Sequence, residues 1–260
     1  MHKGYLLVIV GVLVALAACQ GTAEFQSVDE IVESGRGYLE SGDYDKAISE
    51  LEAAVERAAD DSDTHFLLGQ AYNQAGQLEE AANSFRKVLE LNPDSAAAHH
   101  NLGVTYYQLQ DLHSAISEFE TALELDPDDP DSHYQLGATY LTLALSGVAS
   151  TAGIDPELLA QATDEFNVAI ELREGMPEAL IGLGNVYIQQ GDYETAIETL
   201  QRAIESVPDS REAYYALGSA YAQAGSIDMA CETYKQFLAL DPPANWRAQA
   251  EQTMASLACE

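Results

Sequence analysis

His100–Pro127 reads HNLGVTYYQLQDLHSAISEFETALELDP, and its two halves have different small-residue positions but the same period. Leu102, Gly103 and Tyr106 recur at helical spacing, as do Ala115, Phe119 and Ala122 after a polar break at Gln110-Asp111. Such spacing puts apolar side chains on one face of each of two amphipathic helices. Gly103 and Ala115 leave room for the two axes to approach, and Phe119 fills the space between them. The same order recurs along the chain: glycines at 35, 69, 103, 137, 184 and 218 are separated by 34, 34, 34, 47 and 34 residues. A tyrosine follows each glycine by three places, and an alanine recurs at 47, 81, 115, 162, 196 and 230. Neither helix of a unit can bury its stripe alone, so the units must stack.

This pattern resembles the tetratricopeptide repeat, over about residues 28–244. The resemblance implies an all-α, right-handed superhelical solenoid of six helix-turn-helix units, at 28–61, 62–95, 96–129, 130–176, 177–210 and 211–244. Gly42, Gly76, Gly191 and Gly225 mark the turn inside a unit, and Pro93, Pro127, Pro208 and Pro242 close it. The first unit matches least well, with Ser34 where others carry leucine, as expected of a terminal repeat. The fourth carries 13 extra residues within LSGVASTAGIDPELL, Leu145–Leu159. Asp155-Pro156-Glu157 reads as cap, first-turn proline and first-turn acid of a lengthened second helix. Small residues from Ser146 to Gly153 imply a mobile connection before it. Residues 245–260 form a capping helix, with Trp246, Ala250, Thr253, Met254 and Leu257 on one face and Phe237 packing on it.

The first 18 residues, MHKGYLLVIVGVLVALAA, have one lysine followed by an uncharged stretch that is short for a membrane span and suits an export signal. Leu16-Ala17-Ala18-Cys19 resembles the lipobox of bacterial lipoproteins. That resemblance implies cleavage before Cys19, a diacylglyceryl thioether on its sulfur, and a short linker, 19–27, to the first helix. It places the chain in the cell envelope: at the outer membrane facing the periplasm, or on the outer face of the cell membrane where there is no outer membrane. Gln20 after the cysteine, in place of aspartate, is what suggests the outer membrane.

With 43 acidic against 11 basic residues and a net charge of -32, the chain repels nucleic acid and anionic lipid headgroups. A hydrophobic fraction of 47% shows that this acidity overlies a real core. The expected partner is a protein offering an extended neutral or basic segment. By the resemblance, the first helix of each unit lines a concave wall with its second, fifth, sixth, ninth, twelfth and thirteenth places. Fifth places there hold Phe66, His100, Tyr134 and Tyr215 alongside Val32 and Ile181. Amides and a tyrosine follow at Asn73, Gln74, Asn101, Tyr107, Gln108, Gln135, Asn185 and Gln189. Amides can pair with peptide backbone while aromatics hold its side chains. Second places are acidic in five of six units: Asp29, Asp63, Asp131, Glu178 and Glu212. Arg36 is the one base among these places, so the Lys/Asn/Arg clamp by which some family members hold a terminal carboxylate is not matched.

No serine elbow, phosphate loop or His-Glu-x-x-His occurs, so neither enzymatic activity nor a cofactor is expected. His65, His99 and His133 recur one unit apart, about 8–10 Å between helix axes, too far to share zinc. In LDPDDPDS, Leu125–Ser132, Pro130 breaks the ligand alternation a calcium loop needs. The expected function is that of an anchored scaffold or adaptor in envelope protein complexes. Alternatives are a pilotin-like assembly factor for a secretion or pilus channel, since such lipoproteins also resemble six of these repeats, and an adaptor feeding an envelope protease. Cys231 and Cys259 remain after Cys19, an even pair that invites a disulfide in an exported protein. Their registers on adjacent helices differ by about five residues, roughly 7.5 Å, so a bridge would need the last helix to fray.

Overall fold

The computed structural model describes residues 26–147 and 154–259. The leader, Cys19 and the small-residue stretch 148–153 lie outside them. Among the described residues thirteen helices form six hairpins and a cap. The first helices are α1 (Val28–Glu40), α3 (Ser62–Gln74), α5 (Ala96–Gln108), α7 (Pro130–Leu145), α9 (Pro177–Gln190) and α11 (Arg211–Gln223). Their partners are α2 (Tyr44–Arg57), α4 (Leu78–Leu91), α6 (Leu112–Leu125), α8 (Pro156–Leu172), α10 (Tyr193–Ser206) and α12 (Ile227–Ala239), followed by α13 (Ala244–Ser256). The fold is superhelical and all-α; the described residues contain no strand.

Local chemistry sets each boundary. Ser27, Asp61, Ser95, Asp129 and Ser210 each accept a hydrogen bond from a backbone N–H in the first turn of a first helix, satisfying a donor that has no helical partner. The acidic LDPDDPDS stretch therefore ends as a helix cap: Asp129 accepts from the N–H groups of Asp131 and Ser132. In the fourth hairpin α7 runs to 16 residues and α8 to 17, so the insertion lengthens both helices. The lengthening of α8 is announced by Asp155-Pro156, whereas that of α7 was not read from the sequence, although Gly147, at φ 68° just past the cap Ser146, marks its end.

The turn inside each hairpin needs a left-handed residue, which glycine adopts freely. In the third hairpin that place is Gln110, at φ 63°. A side chain in this region costs roughly 1–2 kcal/mol, offset in part by the larger unfolded-state entropy of glycine. Gln110→Gly should therefore stabilise the chain by about 1 kcal/mol, read as a higher urea midpoint at unchanged slope.

Packing follows the glycine-to-large-residue pairing. A Cβ on Gly103 would lie 2.8 Å from the Phe119 ring, so the α5 and α6 axes approach as closely as they do because no Cβ is there. Phe85, Phe119, Phe166 and Phe237 are all fully buried. Between hairpins, the tyrosine three places after the glycine bonds to the preceding second helix at three junctions. Tyr72 donates to Glu52, Tyr140 donates to Glu120, and Gln201 donates to the Tyr221 hydroxyl. Burial, then the neighbouring carboxylate, pushes the Tyr72 and Tyr140 phenols well above their ordinary range.

The capping helix is tied by a disulfide between Cys231 and Cys259, whose Cα atoms are 5.5 Å apart. No fraying is needed, because α13 stops at Ser256 and reverses. Ala258 takes φ 57°, its N–H donates to Ala255 O, and Cys259 N–H donates back to Met254 O. This is a Schellman turn, with an alanine in the position glycine usually holds. The reversal returns the last cysteine toward α12 and removes the register mismatch.

Candidate peptide-binding wall

Successive first helices touch one another, from α1 with α3 through to α9 with α11. Among the described residues no comparable contact joins successive second helices, so the first helices form the inner wall of the curve. Polar side chains cross that wall from hairpin to hairpin. Asn73 Nδ2 donates to Thr105 Oγ1 and to Gln108 Oε1, and the Tyr107 hydroxyl lies 3.1 Å from Thr142 Oγ1. His100 Nδ1 lies 2.7 Å from Ser132 Oγ. Burial lowers the pKa of His100 while Asp129 and Asp131 pull against it. Ser132 is only 1% exposed and its hydroxyl donates to Asp129, so the Ser, His and Asp here complete a helix cap and offer no accessible nucleophile.

The fifth-place aromatics are half-buried and pack on the second helix of their own hairpin. Phe66 meets Phe85 edge-on, His100 meets Phe119, Tyr134 tilts against Phe166, and Tyr215 meets Tyr234. Burial raises the pKa of Tyr134 and Tyr215. Ring edges therefore face the wall while the remainder of each ring belongs to the core. Gln74, Gln108 and Gln189 are exposed, and Asn73, Asn101, Gln135 and Asn185 are half-buried. Four amides, Gln70, Asn73, Gln74 and Asn101, converge on one cleft of ≈ 260 Å³, with Leu39 and Tyr44 as its apolar side. Leu39 and Gln70 stand at twelfth and ninth places of their units, whereas Tyr44 was not expected there. Leu39 and Tyr44 flank the turn inside a hairpin, and the signal that could have found Tyr44 is that this turn abuts the next first helix.

The recurrent histidines are spent within the stack. His99 lies 2.6 Å from Glu118 and 3.1 Å from the Pro93 carbonyl, and His133 holds the same pair of positions with Glu165 and Pro127. His65 reaches the Ala59 carbonyl. Each thus bridges its own hairpin to the closing turn of the one before. At the rim, Arg173 pairs with both oxygens of Asp131 at 2.7 and 2.8 Å, which holds that carboxyl below the usual range.

A family model described as TPR repeat matches residues 69–110, 105–143 and 184–225, and one described as tetratricopeptide repeat matches 34–61 and 212–243. Together they cover more than half of the chain. The chain is a tetratricopeptide repeat protein. Its fold is similar to that of a tetratricopeptide repeat protein from Parabacteroides merdae, at TM-score 0.71 and 19% identity over 89% of each chain. It is similar also to PilF of Pseudomonas aeruginosa, at TM-score 0.68 and 19% identity over 86% of this chain and 97% of that one. A third, YrrB, described as a TPR protein with an unusual peptide-binding site, aligns at TM-score 0.58 and 23% identity over 78% of this chain and 97% of that one. The search of curated proteins gave no match. Tetratricopeptide repeats are protein-interaction scaffolds, and this one presents an amide-lined wall with an acidic rim. No helix among the described residues is long and apolar enough to cross a membrane.

Proposed function

We propose that this tetratricopeptide repeat protein is a lipid-anchored scaffold of the cell envelope that holds an extended neutral or basic segment of a partner protein along its inner wall. The supporting observation is the cleft where Gln70, Asn73, Gln74 and Asn101 converge. Amide groups carry both donors and acceptors, so a row of them can pair with the N–H and C=O groups of an extended chain whatever its sequence. The surrounding negative field selects the sign of the partner and speeds its encounter. Lipidation at Cys19 follows from the lipobox resemblance. From Cys19 to Gln26, where Arg57 donates to the backbone carbonyl, the chain spans at most about 25 Å, so the anchored scaffold works close to the bilayer.

The test is crosslinking capture from membranes with the full chain. Tyr134 and Tyr215 are poor targets because their rings support the core, so the variant combines Gln74→Ala with Asn101→Ala. Its catch should lose a defined partner that the wild type retains, and identical catches would remove the wall from the account. In the same preparation Cys19→Ala should move the chain from the membrane fraction to the soluble one; a variant that stays with the membrane would remove the anchor.

A further inference from the structure

Three places of the repeat face one another across a junction between hairpins: the fifth and twenty-seventh places of one unit and the second place of the next, counting the cap as a unit that begins at residue 245. At the C-terminal end these are Tyr215, Phe237 and Trp246. The three rings are in contact, with centroids 5.3 Å apart for Tyr215 and Phe237, 5.5 Å for Tyr215 and Trp246, and 6.3 Å for Phe237 and Trp246. One junction earlier the same places hold Ile181, Ala203 and Glu212. There the wall opens into a cavity of ≈ 400 Å³ between α9 and α11, with Pro177, Ile181 and Val207 as its apolar side, Glu178, Asp209 and Glu212 as its acidic one, and Ser210 and Arg211 completing the lining, the Arg211 Nε donating to the Leu240 carbonyl. The chain's own last junction shows what such a cavity accommodates. Trp246 is followed by Arg247, whose Nη2 donates at 2.7 Å to Asp241 in the turn that closes the sixth repeat. The turn before α11 carries Asp209, two places further along its repeat than Asp241.

We propose that the cleft between α9 and α11 receives an aromatic side chain of the partner protein with a basic residue beside it, in the way the last junction receives Trp246 and Arg247. The assignment rests on the reading of the inner wall as a protein-binding surface and names the side chains it selects. Apolar floor and acidic mouth together favour this pair: the ring is withdrawn from water, and the cation remains at a rim where three carboxylates outnumber the one guanidinium, that of Arg211. The junction between α5 and α7 is a weaker candidate, since its cavity is ≈ 220 Å³ and His100, Ser132 and Asp131 are already engaged there.

The probe is the peptide acetyl-Gly-Ser-Trp-Arg-Ser-Gly-amide, titrated into the isotope-labelled full chain and followed by amide chemical shifts. Shifts should map to residues 177–212. Replacing the peptide tryptophan by alanine should weaken binding about tenfold or more, the worth of burying a large ring. Arg→Glu in the peptide should weaken it several-fold and in a salt-dependent manner. Glu212→Trp, at an exposed place, rebuilds the closed junction and should abolish the response. An unchanged response in Glu212→Trp, or equal binding of the tryptophan and alanine peptides, overturns the assignment. Should the peptide shift Asn73 and Gln108 instead, the cleft assignment fails while the inner-wall reading stands. If the peptide shifts nothing and the Gln74/Asn101 variant keeps its whole catch, both fail.

Discussion

Phe166→Ala is expected to destabilise the protein by about 3–5 kcal/mol, the range for deleting a fully buried phenylalanine. The ring is 0% exposed and lies between two glycines: a Cβ on Gly137 would come within 3.0 Å of it, and one on Gly182 within 2.5 Å. Gly137 belongs to the same hairpin and Gly182 to the next, so one side chain closes an intra-hairpin contact and an inter-hairpin contact together. Helix backbones flank the ring on both sides, and neither can collapse into the space without breaking the stack. The cost therefore falls toward the high end of that range. Because repeat arrays gain cooperativity only through nearest-neighbour interfaces, weakening this one should also uncouple hairpins one to three from hairpins five and six. Trp246 is the only tryptophan and lies in the C-terminal cap, so its fluorescence reports one side of the break while circular dichroism reports the whole. In the wild type the two signals should share one urea transition; in Phe166→Ala they should separate. Coincident transitions with a loss below about 1 kcal/mol would show that the fourth hairpin is not the joint described here.

That joint also shows how much the sequence alone could disclose. The repeat period and the glycine-to-large-residue spacing specify six hairpins because each pairing is local: Gly103 and Phe119 are two helices of one unit, and sequence distance translates directly into contact. Contacts between units were harder to read. The recurring tyrosine was plain, yet its hydrogen bond runs to the preceding unit, to Glu52 and Glu120, at a place where other units carry residues of different charge such as Arg86. Gly182 lies outside the recurring pattern, and its missing side chain makes room for Phe166 of the unit before. The inner wall was legible as a set of places but not as a set of exposures. An aromatic at the fifth place can face a ligand or the core, and only the tilt of one helix on the next decides how its ring is divided between them. The disulfide turned on one backbone angle at Ala258, which alanine adopts rarely and no pattern announced.

Reducing the Cys231–Cys259 bridge, or replacing Cys259 by serine, should detach α13 before the rest of the chain unfolds. The bridge closes a loop of sequence separation 28, worth about 3–4 kcal/mol in chain entropy. Every first helix from α3 onward in the stack is held on two sides, by its own second helix and by the preceding one. The capping helix α13 rests on α12 and, through Trp246 and Tyr215, on α11, along the face of Trp246, Ala250, Met254 and Leu257, has no second helix of its own among the described residues, and exposes an outer face of Asn245, Gln249 and Gln252. The bridge thus supplies for α13 the constraint that a second helix supplies elsewhere. With a dithiol reductant two cysteine thiols form, the reductant closes to its own disulfide, and α13 is left with a single apolar face. Local opening then precedes global unfolding. Trp246 should become more accessible to an aqueous quencher and its emission should shift to the red at denaturant concentrations where the helical signal is still native. Retention of the oxidised-state emission in the reduced chain up to the global transition would mean that the rings of Tyr215, Phe237 and Trp246 hold the cap unaided. The last junction would then be a stronger aromatic site than its geometry implies, and Glu212→Trp should lock the preceding cleft with equal firmness.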